Sequence, residues 1–234
     1  MTIPSSAVII GASGGIGAAL ADALEEEGGF AVVHRFARSA SGTARLDILD
    51  EGSIGAAAAH VGSAGPATLV IVASGILHDE ARGPEKALKE LDPAWLARVY
   101  AINAIGPALV AKHFLPIMPR AGRTVFAALS ARVGSISDNR LGGWLGYRAS
   151  KAALNMMLCT IAIEDRRRNP SSIVVGLHPG TVDTALSKPF QGNVAPGHLF
   201  DPARAAVQLL DVLDGLRPPD SGKLFAWDGA EIAP

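Results

Sequence analysis

Short apolar runs alternate along this chain with longer segments of helical period, and this alternation constrains the fold more than any other feature. The apolar runs predict strands at residues 7–10, 30–34, 68–73, 124–129, 173–178 and 223–227. The segments between them predict helices at residues 15–27, 50–61, 93–114, 147–167 and 201–216. Apolar strands that alternate with helices are typical of a parallel sheet buried on both faces. Because crossover connections are right-handed, the pattern predicts an α/β, doubly wound parallel sheet of the Rossmann type.

The whole chain, residues 1–234, is expected to form a single domain. Its 234 residues, 49% of them hydrophobic, suit one core, and no Pro/Gly/Ser linker divides it. Two segments, 76–92 and 185–200, fit no regular element. The second is long for a connection, and long ordered loops often bind ligands or cover them. We expect a substrate loop at about 185–200, the alternative being a solvent-exposed connection.

A glycine-rich turn directly follows the first predicted strand and opens the first predicted helix. Glycines let the backbone approach a pyrophosphate, and the helix N-terminus supplies amides and a positive dipole. The spacing is G-x-x-x-G-x-G and differs from G-x-G-x-x-G. Such a turn can also use glycine for steric reasons alone. We interpret it as a dinucleotide site in which the cofactor contacts Gly11, Ser13, Gly14, Gly15, Ile16 and Gly17.

The choice between the two nicotinamide dinucleotides depends on the residues at the end of the second strand. A carboxylate there accepts ribose hydroxyls, whereas a cation holds a 2′-phosphate. This chain has Arg35 and Arg38 and no carboxylate there, so NADP(H) is favoured over NAD(H). The alternative is that both arginines are solvated. Asp47, expected to follow a further short strand, could meet the adenine.

Tyr147 and Lys151 stand four residues apart at the start of a predicted helix, so both side chains lie on one helix face. Hydride transfer between a carbonyl and an alcohol needs a group that gives a proton to oxygen and takes it back. A free tyrosine has a pKa near ~10, and a nearby cation lowers it. We therefore predict Tyr147 as the general acid/base and Lys151 as its cation.

These motifs resemble those of the short-chain dehydrogenase/reductase family, over nearly the whole chain. The resemblance implies that Asn103 helps to position Lys151 through water. It also implies that a Pro179-Gly180 turn lies near the nicotinamide, with Val182 and Thr184 at its carboxamide. The closing segment 222–232 resembles the subgroup of C-factor-like proteins and small carbonyl reductases.

Two positions depart from the family pattern. The family's Asn-Asn-Ala-Gly is replaced by residues 72–75, where Ser74 and Gly75 still allow a close approach to the cofactor. The serine that orients the substrate oxygen falls, counted back from the following glycine, on Ala131. Ser130 and Ser135 stand nearby, and either could supply the hydroxyl. We favour Ser130 because it directly ends a strand.

The sequence therefore predicts an NADP(H)-dependent oxidoreductase acting on a small carbonyl or alcohol substrate. The alternative is a regulatory or signalling protein that keeps the cofactor site with weak or no catalysis. A net charge of -1, with the basic residues scattered apart from a short arginine run at 166–168 that suits a helix C-terminus, argues against a nucleic-acid partner, and no metal site is evident. No apolar run reaches the ~18 residues of a membrane span.

A few sequence features indicate where the protein is located and how it assembles. The start of the chain lacks a basic region and has no signal-peptide pattern. Cys159, the single cysteine, is interpreted as a small core residue, and its presence fits a reducing cytoplasm. The helices predicted at 93–114 and 147–167 carry apolar residues around much of their circumference. We therefore expect a homodimer or homotetramer that buries them.

Overall fold

The computed structural model describes residues 5–234, apart from the side chain of residue 193. The N-terminal residues on which the signal-peptide expectation rests lie outside that range. The strands are β1 Ser6–Ile10, β2 Val32–Phe36, β3 Ala67–Val72, β4 Thr124–Leu129, β5 Ser172–His178, β6 Thr181–Val182, β7 Leu199–Phe200, β8 Leu224–Ala226 and β9 Glu231–Ile232. The helices are α1 Gly15–Glu27, α2 Glu51–Ala64, α3 Pro93–Tyr100, α4 Gly106–Phe114, α5 Leu145–Arg168 and α6 Pro202–Gly215.

Seven strands form the main sheet in the order β2-β1-β3-β4-β5-β8-β9. All neighbouring pairs are parallel except β8 and β9. The helices cover both faces: α2, α4 and α5 pack on one, and α1 and α6 on the other. This is the predicted doubly wound α/β fold in a single domain. The strand order reverses at β1, which places the glycine turn after β1 at the point where such sheets bind ligands.

Several strand predictions need correction. The second strand lies two residues later than predicted, at Val32–Phe36. The short strand expected before Asp47 is only an isolated bridge between Ala37 and Arg45. The two-stranded sheet of β6 and β7 was not predicted, because two-residue strands carry no periodic signal.

The helix predicted at 93–114 is interrupted by a π-helical turn, Ala101–Ile105. By length and composition alone, the helical stretch Pro93–Ile117 could cross a membrane. A window of 18 residues within it has a mean hydropathy of 1.3, and half of that window is buried inside the protein. Its buried residues, among them Val110 and Phe114, pack in the main core, as the core helix of a globular domain does. The prediction that Cys159 is a core residue is wrong, because its thiol is free and exposed on α5.

Candidate active site

The glycine turn after β1 is shaped by close approaches of its backbone. Gly11 has a φ of 90°, which side chains rarely adopt, and a Cβ there would lie 2.8 Å from Ser74 Oγ. A Cβ on Gly17 would overlap the carbonyl oxygen of Gly11. Helix α1 begins at Gly15 with no side-chain cap and no acidic residue in its first turn. The first amides of α1 are therefore available to an anionic group such as a phosphate.

A cavity of about 410 Å³ runs from this turn between the carboxyl ends of β1, β2 and β3. Ile76, His78 and Asp79 also line it. Of the residues predicted to contact the cofactor, seven line this cavity: Gly11, Ser13, Gly14, Arg38, Asp47, Ser74 and Gly75. The residues present therefore fit a dinucleotide, with small residues where a backbone must be approached and a cation at one end.

The two arginines predicted to hold a 2′-phosphate differ in position. Arg38 is exposed and lines the cavity. Arg35 does not line it, because its guanidinium lies 2.7 Å from both Asp22 and Glu25 of α1. The hydrogen bond to Glu25 raises the pKa of Arg35. Arg35 therefore ties β2 to α1, which does not support its predicted role at a 2′-phosphate, whereas Arg38 and Arg98 are cations that line the cavity.

Asn103 connects the cavity to the catalytic helix. The π-helical turn holds Asn103 in a fully buried position, where its Oδ1 accepts a hydrogen bond from Ile76 N at 2.8 Å. Its Nδ2 donates to Ile76 O at 2.8 Å and to Ser150 Oγ at 3.1 Å. The Ser150 hydroxyl in turn donates to the carbonyl oxygen of Tyr147 at 2.8 Å. Direct hydrogen bonds therefore link the loop after β3 to α5.

Tyr147 and Lys151 share one face of α5, as predicted. The ammonium of Lys151 lies 5.8 Å from the centre of the Tyr147 ring and donates to Leu129 O at 2.7 Å. Burial raises the pKa of Tyr147 to about 12 and lowers the pKa of Lys151 to about 7. The lysine was expected to lower the pKa of Tyr147, whereas desolvation raises it. A Cβ on Gly75, which lines the cavity, would lie 3.7 Å from Lys151 Nζ, so Lys151 lies directly behind the cavity wall.

The two candidate serines are both engaged by the protein. Ser130, only 4% exposed, donates its hydroxyl proton to Asn155 Oδ1 at 2.6 Å. Ser135 accepts from Asp138 N at 3.2 Å. Ala131, at the position expected for the family's serine, is buried. The preference for Ser130 is therefore not supported, since its only proton is directed at α5.

The segment after β5 lies against the first turn of α1. Gly180, next to Pro179, has a φ of 75°, and Val182 packs with Ile16. A Cβ on Gly15 would lie 2.8 Å from Thr184 Cγ2. These family-implied positions therefore surround the glycine turn.

The loop 185–200 contacts two aromatic residues near the site, His78 and Trp144. His78 Nε2 lies 3.1 Å from Leu186 O, and the Phe190 ring is 5.7 Å from the His78 ring. Phe190 also packs edge-on against Trp144 at 5.0 Å, and Trp144 contacts Tyr147 at 6.4 Å. Sequence reasoning missed His78, because an isolated histidine in a loop carries no pattern.

A glycine turn that opens a cavity, with a tyrosine-lysine pair on a helix next to that cavity, defines an α/β oxidoreductase with a Rossmann-type sheet. The family model for the short chain dehydrogenase matches residues 5–194. The chain belongs to this family.

Among curated relatives, C-signal of Myxococcus xanthus is 37% identical over 146 residues, which are 62% of this chain and 82% of that protein. A 1-hydroxy-2-glutathionyl-2-methyl-3-butene dehydrogenase of Rhodococcus is 34% identical over 139 residues, 59% of this chain and 58% of that protein. Among solved structures, the NADPH-bound carbonyl reductase from chicken fatty liver has a TM-score of 0.85 at 26% identity. That match covers 100% of this chain and 95% of the reductase.

Proposed function

We propose that this protein is an NADP(H)-dependent carbonyl reductase in which Tyr147 is the general acid. The observation that carries the proposal is the pair of Tyr147 and the buried Lys151 on one face of α5, where Lys151 Nζ lies next to Gly75 in the lining of the cavity that begins at the glycine turn. The NADPH-bound reductase with the same fold supports this choice of chemistry. A bound nicotinamide dinucleotide would supply the hydride.

At pH 7 the protonation state of Tyr147 suits the reduction of a carbonyl group. With its pKa raised to about 12, Tyr147 is a neutral phenol at pH 7 and can donate a proton to a carbonyl oxygen that gains charge. Alcohol oxidation needs the phenolate, which burial disfavours. Lys151, tied to Leu129 O, holds a positive charge near the ring when it is protonated. We therefore expect alcohol oxidation to increase with pH and carbonyl reduction to dominate at pH 7.

Tyr147 is the only direct side-chain proton donor that we assign to the substrate oxygen. Ala131 has no hydroxyl, and the proton of Ser130 is directed at Asn155. Loss of one such donor typically costs ~3 kcal/mol of transition-state stabilisation. We therefore propose a slow enzyme for a small, apolar carbonyl compound bound under the loop 185–200, against Trp144.

The test is Tyr147→Phe, measured as NADPH oxidation at 340 nm with a panel of aldehydes and ketones. We expect turnover to be abolished and NADPH affinity to stay nearly unchanged, because the change removes one hydroxyl and little contact surface. Tyr100→Phe, on α3, is the matched control and should retain activity. If Tyr147→Phe kept most of the activity, the proposed mechanism would be wrong.

The preference for NADP(H) is proposed from Arg38. Its guanidinium is suited to hold a 2′-phosphate, and it lines the cavity. Arg38→Ala should raise the Kd for NADPH by about tenfold, or ~1.4 kcal/mol, and leave the Kd for NADH unchanged. Arg35→Ala is the control, because that arginine is paired with α1. Equal Kd values for NADPH and NADH in the wild-type protein would contradict the preference.

A second candidate function is a cofactor-binding regulatory protein with weak catalysis. The absence of a serine at Ala131 favours it, as does the similarity to C-signal. The same two measurements distinguish the candidates. A regulator would bind NADPH and would show no turnover that depends on Tyr147.

We also propose a cytoplasmic homodimer or homotetramer for this protein. A groove of about 580 Å³ runs between α4 and α5, lined by Ala108, Leu115, Met157 and Ile161. Met156, at the same groove, is 67% exposed. Covering such an apolar groove by a second copy would remove these side chains from water. A mass of one 24.0 kDa chain in sedimentation equilibrium at micromolar concentration would contradict this interface.

A further inference from the structure

Glu85 is a buried carboxylate in the irregular segment between β3 and α3, far in sequence from the catalytic pair. It is only 3% exposed. Its Oε2 accepts from the backbone N–H of Gly146 at 3.1 Å, one residue before Tyr147. Its own carbonyl oxygen accepts from Trp144 N at 2.5 Å. Glu85 therefore contacts the first turn of α5 through both its side chain and its backbone.

Helix α5 begins without the side-chain cap that three other helices have. Helices α2, α3 and α6 each start after an aspartate whose side chain accepts from first-turn amides: Asp50, Asp92 and Asp201. Helix α5 starts after Trp144, which has no side-chain cap, and its first turn contains no acidic residue. A carboxylate at a helix N-terminus satisfies an open amide and offsets the helix dipole. Glu85 supplies this carboxylate to α5 from another segment.

The entry into α5 is also conformationally costly. Trp144 has a φ of 52° and is the only non-glycine residue with positive φ within residues 5–234. Such a conformation in a bulky residue persists only where its surroundings hold it. The hydrogen bond to the Glu85 carbonyl and the ring contact with Phe190 provide that hold.

The carboxylate of Glu85 fits tightly against the helix backbone. A Cβ on Gly146 would lie 2.8 Å from Glu85 Oε1 and 2.8 Å from Leu96 Cδ2, so a larger residue there would displace these side chains. Among the described residues, Oε1 has no hydrogen-bond partner although it is buried. A buried carboxylate with one oxygen unpartnered costs stability. We therefore attribute to Glu85 a role in the geometry of the first turn of α5, and not in the stability of the protein.

We propose that Glu85 is a positioning residue for Tyr147, acting through its side-chain hydrogen bond to Gly146. The inference rests on the proposed role of Tyr147 as the proton donor. Tyr147 follows Gly146 directly, so a shift of the Gly146 amide moves the phenol relative to Lys151 and the cavity. The backbone contact from Glu85 to Trp144 remains when only the side chain is changed, so the variants can fold.

The experiment compares Glu85→Ala, Glu85→Gln and the control Asp50→Ala, which removes a helix cap from α2. Two quantities are measured: kcat for carbonyl reduction, and hydrogen exchange of peptides that cover the start of α5. Glu85→Ala should lower kcat by between about tenfold and about a hundredfold, because small displacements of a reacting group have large effects. Its Kd for NADPH should stay within about twofold of the wild-type value.

Glu85→Gln should restore kcat to within about threefold of the wild-type value, because the amide oxygen still accepts from Gly146. Exchange at the start of α5 should be faster in Glu85→Ala only, and Asp50→Ala should keep the wild-type kcat. The proposal is overturned if Glu85→Ala keeps its kcat, or if its exchange increases evenly along the chain. If the wild-type protein reduces no carbonyl compound, the proposed function fails, and the exchange measurement still decides whether Glu85 holds α5.

Discussion

The hydrogen bonds of Asn103 give the prediction with the best-defined magnitude. Asn103→Ala removes three hydrogen bonds, two to the backbone of Ile76 and one to Ser150. Each contributes ~1 kcal/mol, and buried backbone groups left without partners add ~1 kcal/mol or more. The free energy of unfolding should therefore fall by about 4 kcal/mol. At ~2–4 °C per kcal/mol for a chain of this size, the Tm should fall by roughly 10 °C.

Asn169 is a matched control for Asn103. It is also fully buried, and its Nδ2 donates to Pro119 O, Gly122 O and Thr124 Oγ1, at the opposite end of the sheet. Asn169→Ala should therefore lower the Tm by a similar amount. Only Asn103→Ala should also weaken NADPH binding, because Ile76 lines the cavity. Thermal unfolding and a fluorescence titration measure the two effects. Unchanged NADPH affinity in Asn103→Ala, or a Tm within 2 °C of wild type, would refute this reasoning.

Further predictions concern the glycine turn, the lysine and the helix groove. Gly11→Ala should abolish NADPH binding in a titration, because its Cβ would lie 2.8 Å from Ser74 Oγ at a positive φ. Gly29→Ala, at a position that does not line the cavity and where a Cβ would meet nothing within 4 Å, should be tolerated. The pKa of Lys151 is lowered to about 7 from 10.5, so between pH 7 and 10 the unfolded chain binds more protons than the folded one. The Tm difference between the wild type and Lys151→Met should therefore shift in favour of the wild type from pH 7 to pH 10. A Tm difference that stays constant over this range would contradict a buried amine. Met156→Lys should shift the sedimentation mass toward the monomer, since it places a charge in the apolar groove.

The fold could be predicted from sequence because its elements carry local signals. The strand Thr124–Leu129 and helix Gly15–Glu27 have the predicted bounds, since an apolar run and an amphipathic period are visible in the chain itself. The glycine turn was predictable for the same reason: its conformational demands fall on consecutive residues. Strands of two residues and the π-helical turn depend on contacts with distant segments and carry no such signal.

At the candidate site, the sequence determined which chemical groups are present, namely a tyrosine, a lysine four residues later and an alanine where a serine was expected. The tertiary structure alone decided their environment. Burial raises the pKa of Tyr147 to about 12, and two carboxylates on α1 remove Arg35 from the cavity while Arg38 remains on it. It also brought Glu85 to the start of α5, 61 residues along the chain. The physical reason is that desolvation and ion pairing depend on which segments fold together, and sequence spacing does not specify this.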